Sequence, residues 1–195
     1  KVYHPMDQGM ARELLGLPSG KRLLLFGALN VTDKRKGIDY LIEALRRMEK
    51  QDVELVVFGQ VKEDIRGLFP VPIHSMGYLS DESKIVALYN AVDMFITSSL
   101  EENLPNTIME SMACGTPCVG FEIGGIPEMI DHRVNGYVAN YKDAGDLANG
   151  IQWVLEHEDR LALSDACVKK VQENYTEEVV AKQYTALYEK LLKGE

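Results

Sequence analysis

Two acidic residues, Glu102 and Glu110, lie on either side of a Leu-Pro-Asn turn in the stretch TSSLEENLPNTIMES. A carboxylate repels phosphate, but its two oxygens accept hydrogen bonds from hydroxyl groups. The turn leads into an expected helix, residues 106–113, and the first N–H groups of a helix attract anions. Hydroxyl acceptors around an anion site would suit a nucleotide sugar, which carries ribose and a hexose on opposite sides of a diphosphate. From these residues alone, a solvated pair of surface acids is the commoner explanation.

The elements that would position these acids alternate between apolar strands and amphipathic helices. This alternation predicts a doubly wound, Rossmann-like α/β fold, in which helices cover both faces of a parallel sheet. Such folds bind ligands outside the carboxyl ends of their strands, and the stretch with the two acids would lie at such an end. We expect Asn106 to cap the helix that follows. The predicted strands are 22–27, 53–59, 74–79, 92–99 and 116–121, and the predicted helices are 10–16, 37–49, 82–91 and 106–113.

The sequence after Asp143 reads as helical, with two apolar stripes at helical spacing. The second stripe belongs either to the core or to a face that meets another domain, and the sequence leaves both possibilities open. The first stripe is Leu147, Ile151, Val154 and Leu155, and the second is Val180, Tyr184, Leu187, Tyr188 and Leu191.

The charge balance and the cysteines narrow the classes of function. A formal net charge of -9 argues against nucleic acid as a partner, because that partner needs a basic face. Three cysteines, Cys114, Cys118 and Cys167, favour buried thiols in a reducing, cytoplasmic compartment over a disulfide framework. No histidine lies at metal-ligand spacing near them, and we expect no metal site. The phosphate-binding signatures GxGxxG and GxxxxGK[ST] are absent, which disfavours a dinucleotide oxidoreductase or a P-loop ATPase.

Several motifs extend the pattern around the two acids. Glu102-x7-Glu110 continues into SMACGTPCV (111–119), and GGIPE (124–128) and NGY (135–137) follow. Upstream lie FGAL (26–29), KGIDYLIEAL (36–45) and VFG (57–59). Together these motifs, over residues 20–193, resemble the donor-binding half of the retaining GT-B glycosyltransferases, a large group that includes sucrose synthases and many bacterial polysaccharide transferases.

The resemblance implies roles for individual residues. Glu110 would bind the ribose hydroxyls and Glu102 would contact the donor sugar. Lys36 would neutralise the departing diphosphate, a role that replaces a metal cofactor and makes Lys36 and Glu102 the candidate catalytic pair. Gly27 would contact the donor, and the region of Tyr78 would hold the base. Diphosphate would be bound by the backbone amides of a loop formed by Asn103, Leu104, Pro105, Asn106 and Thr107.

The sequence departs from the family pattern at two places. Ala28 stands where the family commonly has arginine, and Arg35 or Lys34 could compensate. The usual Gly-Phe-Gly after the first acid is replaced by Asn-Leu-Pro at 103–105. The choice of base would depend on loop contacts at 59–63 and at Tyr78, so the sequence does not identify the base or the sugar.

The resemblance also implies a second domain. A GT-B enzyme binds its acceptor, here expected to be a saccharide or a lipid-linked molecule, on an N-terminal domain that this sequence does not contain. We therefore expect residues 1–20 to be an interdomain linker, 21–175 to bind the nucleotide sugar and 176–195 to cross to the missing domain. The chain alone should bind donor without transferring sugar, and any peripheral association with the inner membrane would involve the missing half. Two alternatives stay open: a nucleotide-sugar 2-epimerase of the same fold, and a non-catalytic binding module, which Ala28 favours.

Overall fold

Within residues 2–48, 52–60, 65 and 67–193, which the computed structural model of the chain describes, six strands form one sheet in the order β3-β2-β1-β4-β5-β6. All neighbouring strands are parallel. The strands are β1 (Arg22–Asn30), β2 (Val53–Gln60), β3 (Ile73–Gly77), β4 (Met94–Thr97), β5 (Cys118–Phe121) and β6 (Gly136–Ala139). The helices are α1 (Gln8–Leu15), α2 (Ile38–Arg47), α3 (Glu82–Ala91), α4 (Asn106–Ala113), α5 (Ile126–Met129), α6 (Ala144–Leu155), α7 (Arg160–Asn174) and α8 (Glu177–Lys193).

The strand order reverses between β1 and β4, and this confirms the predicted Rossmann-like fold. In a doubly wound sheet the chain moves outward in one direction from a central strand and then returns to its other side. Here β2 and β3 lie on one side of β1, and β4, β5 and β6 lie on the other. The carboxyl ends of β1 and β4 therefore border the crevice where such folds bind ligands.

The apolar run of β1 is continuous because both faces of the strand are buried. Leu24 and Phe26 pack in one core cluster, which includes Leu41 of α2 and Ile151 of α6. Leu23 and Leu25 pack in the other, which includes Leu88 of α3 and Met112 of α4. A strand that alternates its side chains between two apolar layers needs apolar residues at successive positions.

Two short elements were not predicted from the sequence. Strand β6 has four residues and lies at the edge of the sheet, where its pairing with β5 defines it. Helix α5 also has four residues, Ile126–Met129, with a proline in its first turn. Segments this short show little periodicity, and their conformation depends on the neighbours against which they pack.

Helix α8 lies outside both core clusters. None of its residues is buried, and Tyr184, Leu187 and Tyr188 are all more than half exposed. Of the two possibilities for this stripe, the structure excludes the core of this domain. None of the helices in the described ranges is both long enough and apolar enough to span a membrane.

The N-terminal helix α1 is joined to the sheet by a buried arginine. Asp7 caps the helix by accepting a hydrogen bond from the N–H of Met10 at 2.8 Å. Arg12 is 5% exposed and donates from Nε to the carbonyl of Ala91 at 2.7 Å. Its Nη2 lies 3.1 Å from Oδ2 of Asp93, the residue that precedes β4. The segment predicted as a linker therefore packs on the Rossmann-like fold through an ion pair.

Asp93 forms ion pairs with three arginines at the amino-terminal end of the sheet. Besides Arg12, Nη1 of Arg160 lies 2.5 Å and Nη1 of Arg22 lies 3.5 Å from its Oδ1. Oδ2 also accepts the backbone N–H of Leu23 at 2.7 Å. The Asp93 side chain is 2% exposed, so these contacts replace the hydration that its charge loses.

Asp93→Asn should lower the free energy of unfolding by about 3 kcal/mol, because it leaves the buried Arg12 without a counter-charge. The matched control is Asp52→Asn. Asp52 pairs with Lys21, but its side chain is 72% exposed, and we expect a change within about 0.5 kcal/mol. Urea unfolding measures both values. An equal effect of the two substitutions would contradict a stabilising role for the arginine cluster.

Candidate active site

The loop between β4 and α4 holds both acids of the sequence motif, one before the helix and one within it. Pro105 is the N-cap residue of α4, with φ -71° and ψ 115°, and no side chain of the described chain caps the helix. The prediction that Asn106 is the cap is therefore wrong, because Asn106 is the first helical residue. Proline suits this position, since its fixed φ is compatible with the start of a helix. Because the proline side chain has no hydrogen-bond acceptor, it does not cap the first N–H groups of α4.

Two glycines allow the loop with Glu102 to approach the end of β5. The N–H of Gly125 donates to the carbonyl of Asn103 at 2.5 Å. Gly124 has φ +55°, and a Cβ atom there would lie 2.1 Å from the carbonyl oxygen of Glu102. A side chain is excluded by both the backbone conformation and the space, which explains the Gly-Gly pair in the motif.

Lys36 is brought to this loop by a 3-10 turn, Lys34–Lys36, that follows β1. The turn is held against the end of β4: Oγ of Ser98 donates to the carbonyl of Lys36 at 3.0 Å, and the N–H of Leu100 donates to the carbonyl of Arg35 at 2.7 Å. Gly37, at φ +64°, permits the close approach, since a Cβ atom there would lie 1.9 Å from the carbonyl oxygen of Ser98.

Lys36 and Glu102 form an ion pair between Nζ and Oε1. The side chain of Lys36 is 33% exposed and that of Glu102 is 14% exposed, so the pair lies at the surface of the crevice. Partial burial strengthens the attraction relative to a solvated pair. The two candidate catalytic residues, 66 positions apart in the sequence, thus meet in the structure.

Glu110 lies one turn into α4 and contacts a different part of the fold. Its Oε2 accepts a hydrogen bond from the hydroxyl of Tyr89 in α3 at 3.0 Å. Burial raises the pKa of Tyr89 well above its ordinary value, and the charge of Glu110 adds to the effect. Burial and Glu110 also raise the pKa of Tyr3 to about 12. The sequence provided no signal that the hydroxyl of Tyr89 would contact Glu110.

Gly27 and Tyr78, two further residues predicted to bind the donor, lie in different environments. A Cβ atom on Gly27 would lie 1.9 Å from the ring of Phe58, so glycine at this position leaves room for that ring. Tyr78 follows the edge strand β3 and is 62% exposed. Among the described residues no hydrogen bond or ion pair joins Tyr78 to the Lys36–Glu102 pair. Most of the predicted base-contacting loop at 59–63 lies outside the described residues.

Arg35, a candidate replacement for the arginine absent at Ala28, binds an acid of its own turn. Its Nη2 lies 2.7 Å from Oδ2 of Asp33, and its Nε lies 3.2 Å from both carboxylate oxygens. These bonds lower the pKa of Asp33 to about 2. Lys34 is exposed. Compensation by either residue stays a prediction.

The three cysteines are buried and unpaired as disulfides, and burial raises the pKa of Cys114 and of Cys118 to about 12. Their thiols are therefore protonated at neutral pH. Among the residues that the structure describes, no group of three or more His, Cys, Asp or Glu side chains could hold a metal ion.

The sheet order, the crevice between β1 and β4 and the acids around α4 define one Rossmann-like half of a GT-B fold. Residues 20–157 match the family described as glycosyl transferases group 1, and the chain belongs to this family. N-acetyl-alpha-D-glucosaminyl L-malate synthase of Bacillus anthracis is 24% identical in an alignment 201 positions long, which covers 100% of this chain and 52% of the relative. The chain thus spans about half the length of this curated relative.

Two solved structures share the fold. Sucrose-phosphate synthase from Thermosynechococcus elongatus aligns with a TM-score of 0.80 at 24% identity, and the alignment covers 100% of this chain and 51% of that one. HepE from Anabaena, crystallised with UDP and glucose, aligns with a TM-score of 0.77 at 20% identity, over 96% of this chain and 54% of that one. Each alignment covers about half of the other chain.

Gly124→Ala should lower the free energy of unfolding by about 1–3 kcal/mol, because alanine is strained at φ +55° and its Cβ meets the carbonyl of Glu102. Gly20→Ala is the control, since a Cβ atom there has no neighbour within 4 Å. We expect that control to change stability by less than about 1 kcal/mol. Chemical unfolding of both variants measures the difference, and an unaffected Gly124→Ala variant would contradict the tight loop packing.

The raised pKa of Tyr3 predicts a loss of stability in alkaline solution. In the unfolded chain Tyr3 ionises near its ordinary value of 10.0, whereas in the folded chain it stays neutral up to about 12. The unfolded state therefore binds fewer protons in this window, and stability falls as pH rises from 10 to 12. Relative to its own value at neutral pH, Tyr3→Phe should lose less stability than the unsubstituted chain. Equal losses in denaturant titrations across this range would refute the assignment.

Proposed function

We propose that the chain is the donor-binding half of an enzyme that transfers a hexosyl unit from a nucleoside diphosphate sugar to a saccharide or lipid-linked acceptor, with retention of configuration. The observation that carries the proposal is the ion pair between Lys36 and Glu102 beside the uncapped N-terminus of α4. A lysine and a helix N-terminus at a topological switch point are suited to a diphosphate.

In this proposal the donor lies along the loop before α4. The backbone N–H groups of residues 103–107 bind the diphosphate, to which the helix dipole adds its favourable field. Glu110 accepts hydrogen bonds from the ribose hydroxyls, and Glu102 accepts them from the hexose. Each carboxylate has two oxygens, so each can accept two neighbouring hydroxyls of a sugar ring.

Lys36 would act on the leaving group. As the bond between the anomeric carbon and the diphosphate oxygen breaks, negative charge grows on the diphosphate. A cation already held in place by Glu102 stabilises that charge without rearranging first, an effect worth roughly 3 kcal/mol for a single well-placed donor. We propose that this lysine and the helix N-terminus take the role of a metal ion, so no cofactor besides the donor is required.

The partner of this half would be an acceptor-binding domain. The half-length match to the curated relative supports this proposal, and so does the apolar face of α8, whose aromatic and leucine side chains are more than half exposed. We propose that α8 packs on that domain and that the chain by itself binds donor without completing transfer. The acceptor class and any membrane association then depend on the second domain.

Glu110→Gln should weaken binding of a nucleoside diphosphate about 10- to 100-fold, because a charge-assisted hydrogen bond to the ribose is lost. UDP is the first probe, since the Anabaena neighbour was crystallised with it, and GDP and ADP test the choice of base. Titration calorimetry of the chain measures the affinity with and without EDTA, which we expect to have no effect.

Glu101→Gln provides the control for that titration. Glu101 is exposed, and its replacement by glutamine makes the same chemical change next to the loop. The affinity of this variant for UDP should stay within about 2-fold of that of the unsubstituted chain. If the Glu110→Gln variant bound UDP as tightly as the unsubstituted chain, the assignment of Glu110 to the ribose would be wrong.

An activity assay separates the proposed transferase from its rivals. The complete polypeptide is incubated with donor and acceptor, nucleotide release is followed, and the anomeric configuration of the product is determined by NMR. Retention with acceptor-dependent release supports the proposal. Conversion of the sugar without acceptor would identify a 2-epimerase, and binding without turnover would identify the non-catalytic module that Ala28 favours.

A further inference from the structure

The structure points to a positioning residue that the sequence motif does not contain. We propose that Tyr89 orients the carboxylate of Glu110 for recognition of the ribose hydroxyls, an inference that rests on the proposed function. Tyr89 lies on α3 and Glu110 on α4, and the hydrogen bond from the tyrosine hydroxyl to Oε2 joins the two helices at 3.0 Å.

Tyr89 is held rigidly enough to act as a fixed donor. The residue is fully buried, and its ring makes edge-on contacts with the rings of Tyr3, Phe58 and Phe95 at centroid distances of 6.2, 6.2 and 6.0 Å. Its carbonyl accepts the Thr116 hydroxyl at 2.7 Å, which also ties the backbone to the segment before β5. Ring and backbone are thus fixed from several directions, so the position of the hydroxyl is fixed as well.

The chemistry of the pair suits a positioning role. Because the pKa of Tyr89 is well above its ordinary value, the hydroxyl stays protonated and donates at any physiological pH. A glutamate side chain otherwise rotates among several rotamers, and fixing it only when a ligand arrives costs binding free energy. A bond to one oxygen fixes the plane of the carboxylate and leaves the acceptor sites of the other oxygen for a ligand hydroxyl.

The N-terminal segment packs against Tyr89 and its neighbour in the sequence. The N–H of Met6 donates to Oδ1 of Asn90 at 2.8 Å, and Nδ2 of Asn90 donates to the carbonyl of His4 at 3.1 Å. Asn90 is the neighbour of Tyr89, and Tyr3 of the same segment packs against the Tyr89 ring. Tyr89 is shielded from water, so water does not compete for its hydroxyl, and the hydrogen bond is stronger than one with an exposed donor.

The test compares two probes that differ only at the ribose. Tyr89→Phe keeps the ring and removes the hydroxyl. It should weaken UDP binding about 5- to 30-fold, less than the full loss of a hydrogen bond to a charged group because the Glu110 carboxylate remains, and leave binding of 2′,3′-dideoxy-UDP within about 2-fold. Tyr40→Phe is the matched control: Tyr40 packs edge-on against Phe121 in the other core layer, and its loss of a hydroxyl should leave both affinities unchanged.

A second variant excludes a merely structural effect. On the Glu110→Gln background, adding Tyr89→Phe should weaken UDP binding no further, because the carboxylate that Tyr89 orients is already gone. Equal weakening of both probes by Tyr89→Phe, or no weakening of either, would overturn the proposal. If Glu110→Gln alone left UDP affinity unchanged, the proposed function would fail first. If Glu110→Gln weakened binding and Tyr89→Phe did not, only the positioning role would fail.

Discussion

The parallel pairing of β1 with β4 is the constraint on which the site depends. Leu24 pairs with Met94 and Phe26 with Ile96, so the carboxyl ends of the two strands lie at the same edge of the sheet although a long stretch of chain separates them. Whatever follows each strand must then occupy the same crevice. A 3-10 turn with Lys36 follows one strand and a loop with Glu102 follows the other, and their side chains form an ion pair across the gap.

Close backbone contacts hold the loops that follow β1 and β4 in fixed positions. Gly37 lets the lysine turn approach the end of β4, and Gly124 lets the loop after β5 approach the carbonyl of Glu102. Both glycines have positive φ and no room for a Cβ atom. Their close backbone contacts hold the loops with Lys36 and Glu102 against the ends of the strands. In a chain with a net charge of -9, Lys36 places a positive charge at the crevice, and the proposed function assigns that charge to the diphosphate.

Helix α4 combines two opposite electrostatic tasks. Its N-terminus, with Pro105 in place of a polar cap, favours anions, whereas the carboxylate of Glu110 one turn later repels them. In the proposed function this separation along the helix lets the N-terminus bind the diphosphate and Glu110 bind the ribose of the same ligand. The carboxylate depends in turn on α3 and on the N-terminal segment, since Tyr89 donates to it and Tyr3 packs against Tyr89. The arginines around Asp93 anchor the same segment at the opposite end of the sheet.

The sequence by itself determined the fold class, five of the strands, the helix that begins at residue 106 and the family. Those features are encoded locally, in apolar periodicity and in motifs such as Glu102-x7-Glu110. Strand β6, the identity of the cap of α4 and the hydroxyl that binds Glu110 were decided only by the tertiary structure. Each depends on a partner distant in the chain: β5 for the strand, the packed loop for Pro105, and α3 for Glu110. A buried tyrosine has the same sequence pattern whether its hydroxyl meets a carboxylate or a carbonyl, because periodicity records which face is buried and not what lies opposite.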